Sequence, residues 1–499
     1  SSSSSSSSSD CCGHGQEEII YLAATNLSKQ IRDAGCGSNP PVGNLIDPNG
    51  LAVNPVFGTP DGISVIEIDK HGNARVVPQP QPEGTMQVAP FRDPSSALVY
   101  DAEAHHFVKD KKNTRVIAFG IMNSFAYVYD IGGKNRLYPK LIHSVDLTVS
   151  GYTGPHDAVE LDDGTFLVTL TGQTKLKPQI CPAPGPATEG LGPGGLIRIT
   201  RDGAFINDVT QPVDHNMFPS AAISISIKDK LLAYPEFQTH FYFDSGIGSP
   251  CEAGHAVVLF KFDPKHPGRI ITNALQTILL EDTVGNSGFY STSPAFWPGT
   301  LKGADGRKKD VLFATAISAG LRALVRNAGS NDPFVAQLIF QLPVGNAYPA
   351  HAAMHAITFS KGTKDEVKYD NLYLTDTWGN KVHQMDMSNG LPPVGTYFSD
   401  VPGSTYFAKP IDCPNVHWAE FSRKGNYLYT SNTLFSLYDW ILCKYPPVIT
   451  RELRRFDVDT KTGDVSLTPS LTVLCPQGYG WVKAELCCRA IHPKNIYEE

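Results

Sequence analysis

Seven short segments of the chain read alike at a nearly even spacing. They are ISVIEID from Ile63, FAYVYDI from Phe125, GLIRIT from Gly195, AVVLFKFD from Ala256, LRALVRN from Leu321, NKVHQMDM from Asn380 and ELRRFDVD from Glu452. Most alternate large apolar residues with others, and several reach an Asp at or near the end. The mean step is roughly 65 residues, and self-similarity at a fixed period is the mark of a repeat architecture. A period-two pattern in every repeat requires strands, and an all-β repeat with four strands per unit is a β-propeller. The expected fold is therefore an all-β, seven-bladed β-propeller. The step exceeds the roughly 40–50 residues of common propeller motifs, so some blades must carry long loops.

Gly and Pro are plentiful and scattered, as many short strands joined by turns require. No stretch of helical period stands out. A formal net charge of −7 without any dense Lys/Arg block argues against a nucleic-acid surface. No apolar run reaches the 18 or so residues of a membrane span. The Ser1–Ser9 run is low in complexity and is set aside with residues 1–16 as a tail outside the fold. Residues 17–499 are read as one propeller domain, since no linker divides them. The EEIIYLA segment from Glu17 reads as a strand that completes the blade begun at the other terminus, closing the ring. Closure would also bring Cys11–Cys12 near Cys487–Cys488, within reach of a disulfide if the compartment is oxidising. The Pro/Gly-rich stretch from Lys177 to Gly195 reads as a long connector, or a lid over one end of the ring.

Three repeats share a further pattern. HDAVELDDGTFLVTL from His156, HWAEFSRKGNYLYTS from His417, and HAITFSKG from His355 continuing to NLYLTDTW from Asn371 each open a strand with a His, turn at a Gly and return in an apolar strand. The same phase in different blades points to one place, the rim of the central channel.

Several stretches carry a family resemblance. SNTLFSLYD from Ser431 and RFDVDTKTGDVSLTPSL from Arg455 resemble the TSLYSxWD and VDVDxxxGGLxLNPxF stretches of the selenium-binding protein / methanethiol oxidase family. Cys11-Cys12-Gly13 with EEIIYLA resembles that family's Cys-rich start and REEIVYL strand. YDAEAHH from Tyr100 resembles DELHH, Pro155-His156 with DDGTFLVTLTG resembles PHTxHCxxxGEVMISxLG, and Gly194-Gly195-Leu196 resembles the following GGF. The resemblance spans nearly the whole chain in the right order. It implies a seven-bladed propeller and, in the methanethiol oxidase members, a copper-dependent conversion of methanethiol and oxygen into formaldehyde, hydrogen sulfide and hydrogen peroxide. It also implies His105, His106 and His156 as catalytic metal ligands. The family's second His of PHTxHC is Val159 here, the following Cys is absent, and the Cys-x-x-Cys after DELHH is missing. The C-terminal His-Glu-x-Arg-Tyr-Pro stretch is replaced by CCRAIHP from Cys487, so that the family's C-terminal ligand corresponds here to Cys488, to His492 or to neither.

Imidazoles converging on a channel suit copper, zinc or iron, and a Cys488 thiolate would favour copper(I). Adjacent His105 and His106 face opposite ways in a regular strand, so both reach one metal only from a turn or bulge. Asp101 and Glu103 are candidates to orient an imidazole through its other nitrogen. His355 and His417 have the recurrent phase and stand second in rank, with Glu236 as a channel acid. His215, His240, His255 and His351 are read as channel-lining at most, and Trp378, Trp418 and Tyr438 as walls of a small apolar pocket. His14, His71, His143, His266 and His383 are read as ordinary core or surface histidines.

The expected function is a copper-dependent oxidoreductase acting on a small-molecule thiol and oxygen. Two rivals are a non-catalytic scaffold propeller that presents loops to a protein partner, and a propeller hydrolase or lactonase. The latter would hold calcium or zinc among carboxylates, and no dense Asp/Glu cluster recurs at the blade starts. No phosphate loop, HExxH helix or dinucleotide fingerprint is present.

Overall fold

A computed structural model describes residues 18–26, 60–69, 71–81, 84–92, 104–121, 123–173, 195–209, 223–226, 229–235, 256–263, 266, 275–279, 291–316, 320–340, 354–359, 371–377, 379–414, 416–422, 425–432, 452–476, 479–486 and 496–497. These residues form seven antiparallel sheets arranged as the blades of a propeller, with two short 3-10 turns, Gly133–Asn135 and Leu147–Ser150, besides. No helix among them is long and apolar enough to cross a membrane.

Blade 1 is composite. Its strands, from the axis outward, are Tyr479–Leu486, Glu18–Asn26, Gly62–Ile68 and Ala74–Val76. Ile20 pairs with Leu486 and Ala24 with Trp481, so the N-terminal strand does close the ring on the C-terminal one. Blade 2 runs Ala104–Lys109, Arg115–Gly120, Phe125–Asp130 and Lys140–Asp146. Blade 3 runs Tyr152–Glu160, Phe166–Gln173, Gly195–Ile199 and Phe205–Ile206. Blade 4 runs Ser224–Ser226, Leu231–Pro235, Ala256–Lys261 and Gln276–Leu279. Blade 5 runs Ser291–Phe296, Lys308–Ala316, Gly320–Asn327 and Val335–Phe340. Blade 6 runs Met354–Phe359, Asn371–Asp376, Lys381–Asp386 and Ala408–Asp412, and blade 7 runs Val416–Phe421, Tyr427–Asn432, Glu452–Val458 and Val465–Leu474. All seven segments that first revealed the repeat are third strands, one per blade.

The alternating pattern has a direct physical cause. Each blade is sandwiched between two others, so odd and even residues of one strand bury into different joints. In Arg115–Gly120, Val116 and Ala118 pack into the joint between blades 1 and 2, while Ile117 and Phe119 pack into the joint between blades 2 and 3. In Glu18–Asn26, Ile19, Tyr21 and Ala23 face blade 2, while Ile20, Leu22 and Ala24 face blade 7. The core is thus a ring of apolar joints, the widest uniting blades 4, 5 and 6 around Leu312, Phe313 and Leu374. Within blade 1 the short Ala89–Pro90 strand pairs so closely with Gly62 that an added Cβ would lie 2.4 Å from the Ala89 carbonyl oxygen, so only glycine fits.

The first strand of each blade is innermost. Those of blades 7, 1, 2 and 3, and those of blades 4 to 7, touch in succession around the axis. Ile496–Tyr497 adds a short parallel pairing to the innermost strand of blade 4, Ile225 opposite Ile496. The stretches 1–16 and 177–194, the four cysteines at 11, 12, 487 and 488, and the loop read as a connector or lid lie outside the described residues.

Candidate functional site

The innermost strands share an irregularity. In blade 3, Pro155 faces Leu170 and Ala158 faces Val168, so His156 and Asp157 together stand opposite a single residue, Thr169. That is a β-bulge, which re-aims side chains and is common beside functional sites. Blade 2 slips between Ala104 and His106, making His105 the extra residue. Blade 7 slips between Val416 and Trp418, making His417 the extra residue. Blade 6 slips between Met354 and Ile357, around His355, and blade 5 between Ser291 and Pro294. Blade 1 slips at the same inner pairing, between Leu22 and Ala24. The requirement that the adjacent histidines lie in a bulge is met by the backbone.

The bulges of blades 2, 3 and 7 bring imidazoles together. The rings of His106 and His156 pack 4.2 Å apart at 44°. His417 presents an edge to His106 from across the axis, with ring centres 6.4 Å apart and planes at 84°. All three are buried. Asp157 is buried beside them, with Oδ1 3.6 Å from Nδ1 of His106, and its Oδ2 accepts from the Ile223 N–H of blade 4 at 3.4 Å. One carboxylate therefore joins blades 2, 3 and 4. At that separation the carboxyl and the ring lie within ion-pair range without a hydrogen bond between them.

The bulge of blade 3 is held from both sides. Ser124 Oγ accepts from Gly154 N–H at 3.0 Å, just before His156. Thr169 Oγ1 accepts from Asp157 N–H at 3.0 Å and stands 3.3 Å from Asp157 O, to which it donates. Glu160 ends the same strand. Burial pushes its carboxyl up to about 7; the Lys111 backbone N–H, which donates to it, opposes that shift, and nearby Asp110 adds to it.

Of the residues selected from sequence, His106, His156 and His417 meet in this cluster. The backbone places His105 in its bulge and His355 at the matching register position of blade 6. Asp101, Glu103, Glu236, Cys488, His492, Trp378, Tyr438, His14, His215, His240, His255 and His351 lie outside the described residues. Trp418 is buried in the joint between blades 7 and 1, as core. His71, His143 and His266 are exposed, as expected of surface histidines. His383 is a core histidine, fully buried with its ring 4.8 Å from that of Phe340 and Nε2 3.6 Å from Asp376 Oδ2. Sequence reasoning passed over Asp157 and Thr169. The signals were there: an Asp directly after a strand-opening His, and a Thr at the same place in FLVTL, LFATA, LYLTD and YLYTS. Among the described residues, no three His, Cys, Asp or Glu side chains stand at the spacing of a complete metal ligand set.

No family model matches the chain, and no curated protein does. Solved structures do. A hypothetical selenium-binding protein from Sulfolobus tokodaii is similar at a TM-score of 0.59 and 15% identity, over 97% of each chain. A protein from Lactobacillus plantarum follows at 0.51 and 12% identity, over 94% of this chain and 99% of that one. The periplasmic gluconolactonase of Pseudomonas aeruginosa is similar at 0.50 and 11% identity, again over 94% and 99%. At these identities the likeness establishes the propeller fold.

Proposed function

We propose that the His106–His156–His417 cluster is the functional centre, that it binds copper, and that the protein oxidises a small thiol with oxygen. The packing of His106 against His156 in the bulges of neighbouring blades, with Asp157 beside them, carries this reading. The donor types suit copper, with a buried carboxylate beside one ring, and since the described side chains do not form a complete ligand set the ion needs a further donor. His106, His156 and His417 would hold the ion, with His105 from the same bulge and Cys488 or His492 as further candidates. Bound copper would supply a centre that takes a sulfur ligand and exchanges electrons with oxygen. The chain's own residues bury the site, set the Asp157 carboxyl beside His106 and keep bulk water from the reacting thiol. The overall reaction balances as methanethiol, oxygen and water giving formaldehyde, hydrogen sulfide and hydrogen peroxide. The whole-chain resemblance and the neighbour bearing the name selenium-binding protein support the same reading.

Metal analysis of the purified protein, with oxygen uptake and peroxide release on adding methanethiol, tests it. Copper at one per chain, lost in the His106→Ala/His156→Ala/His417→Ala variant, is the expected result. Equal copper in wild type and variant overturns it.

A second reading is a propeller lactonase, favoured by the likeness to the Pseudomonas aeruginosa gluconolactonase. There the buried His–Asp contact would serve as a general base that activates water. Hydrolysis of gluconolactone by metal-free protein, abolished by His106→Ala, would select it. A protein inert to thiol and lactone alike returns the chain to the scaffold reading.

A further inference from the structure

We infer that Thr169, which lies on the second strand of blade 3 and touches no imagined substrate, is the positioning residue that sets His156 and Asp157 against His106. The inference deepens the copper reading and rests on it for its functional consequence, but its structural half stands alone.

A bulge leaves the backbone of its extra residue without a ladder partner. In a buried strand such an N–H and C=O need partners from outside the ladder. Thr169 removes the problem with one hydroxyl, accepting from Asp157 N–H at 3.0 Å and donating to Asp157 O at 3.3 Å. The side chain is fully buried, and its β-branched form restricts χ1 so that the hydroxyl is held in place. Without it, the strand would gain by slipping back into register, and a one-residue slip turns neighbouring side chains to the opposite face. His156 would then leave His106, and Asp157 would leave both Nδ1 of His106 and the Ile223 N–H. Thus the Thr169 hydroxyl, with the Ser124 contact to Gly154 on the other side, holds the residues through which three blades meet at the site.

The repeat supplies its own control. Blade 5 has the same device, with Thr315 Oγ1 accepting from Ser293 N–H at 3.1 Å inside a bulge of the same length, but no histidine occupies that bulge. Thr375 sits fully buried opposite the bulge of blade 6, whereas Thr430 of blade 7 pairs with Ala419, beyond its bulge. A purely structural role predicts that losing Thr169 or Thr315 has the same consequences. A positioning role predicts that only Thr169 matters to the metal.

The test compares Thr169→Val, Thr169→Ser and Thr315→Val in the full chain, by copper titration against a competing chelator and by crystal structures of the metal-free proteins. Thr169→Val should weaken copper binding about 10–100-fold, the range for outer partners of metal ligands. Thr169→Ser should restore it, and Thr315→Val should leave it at the wild-type value despite a comparable drop in melting temperature. The metal-free Thr169→Val structure should show the His106 and His156 rings separated beyond their 4.2 Å packing. Unchanged rings in that variant overturn the inference, as does equal loss of copper affinity in both valine variants. If wild-type protein binds no copper, the functional reading fails while the ring separation still decides the positioning role. Should Thr169→Val not fold, Thr169→Ala carries the same comparison.

Discussion

Blades 3 and 5 use one backbone for two purposes. In each, the innermost strand bulges by one residue against a buried threonine of the second strand, Thr169 or Thr315. Blade 3 fills its bulge with His156 and Asp157, whereas blade 5 fills it with Thr292 and Ser293. The difference teaches that the bulge is a device several blades share without its being a necessity of the ring, since the described inner pairing of blade 4 runs without one. The side chain it carries is free to vary, and chemistry enters only where His and Asp occupy the place. The histidine-bearing bulges of blades 7, 2 and 3 lie along one arc, with the closing blade 1 between blades 7 and 2, and of these blade 3 adds an Asp.

The comparison is broken most sharply by removing an imidazole. His156→Ala should abolish copper binding and thiol-dependent oxygen uptake, a larger effect than the roughly 10–100-fold expected of an outer partner, while Ser293→Ala changes neither. Metal analysis and an oxygen electrode measure both. If Ser293→Ala were equally damaging, the two bulges would not differ in function.

Asp157→Asn comes next. It keeps the shape but withdraws the charge that faces Nδ1 of His106, and should cost about 10–100-fold in copper affinity. A competition titration reads it, and a thermal melt close to wild type would separate loss of charge from loss of fold.

Core truncations probe what the blades have in common. Leu167→Ala in blade 3 and Leu312→Ala in blade 5 each empty a fully buried position of a second strand. Each should cost about 2–5 kcal/mol in urea unfolding, with one copper per chain retained. A metal deficit confined to Leu167→Ala would show that the blade 3 joint, and not its bulge alone, shapes the site.

The smallest effect is electrostatic. Burial raises the Glu160 carboxyl from 4.5 to about 7 in the folded protein. The folded state therefore holds the proton more tightly than the unfolded chain. Stability from this group is fully present below about pH 4.5 and is lost as pH rises through about 7. Glu160→Gln should flatten the fall of melting temperature across that window. An unchanged slope would mean that Glu160 ionises normally. Blade 5 ends its innermost strand in Phe296 and gives no such term.

Much of this was legible in the residues. The third strands announced the repeat because both of their faces are buried, which imposes apolar residues at nearly every place and leaves a strong local signature. The histidines at 156, 355 and 417 shared a phase because each lies in the bulge of an innermost strand. Asp157 and Thr169 left a signal in the sequence, but one too ordinary to select them. A buried Asp looks like a turn residue, and a Thr in a strand looks like ordinary β-branched packing, until their hydrogen bonds are seen. Nor did the spacing of His383 set it apart, though it packs against Phe340 in the core.

The sequence by itself determined the number of blades, the strand that closes the ring and the set of imidazoles from which a site is drawn, because periodic burial and turn chemistry are written locally. Only the tertiary structure decided which imidazoles meet. That choice depends on one-residue slips in register and on which faces of blades 2, 3 and 7 turn toward each other across the axis. Those are contacts between residues 50 positions apart, as for His106 and His156, or 311, as for His106 and His417, and no local pattern encodes them.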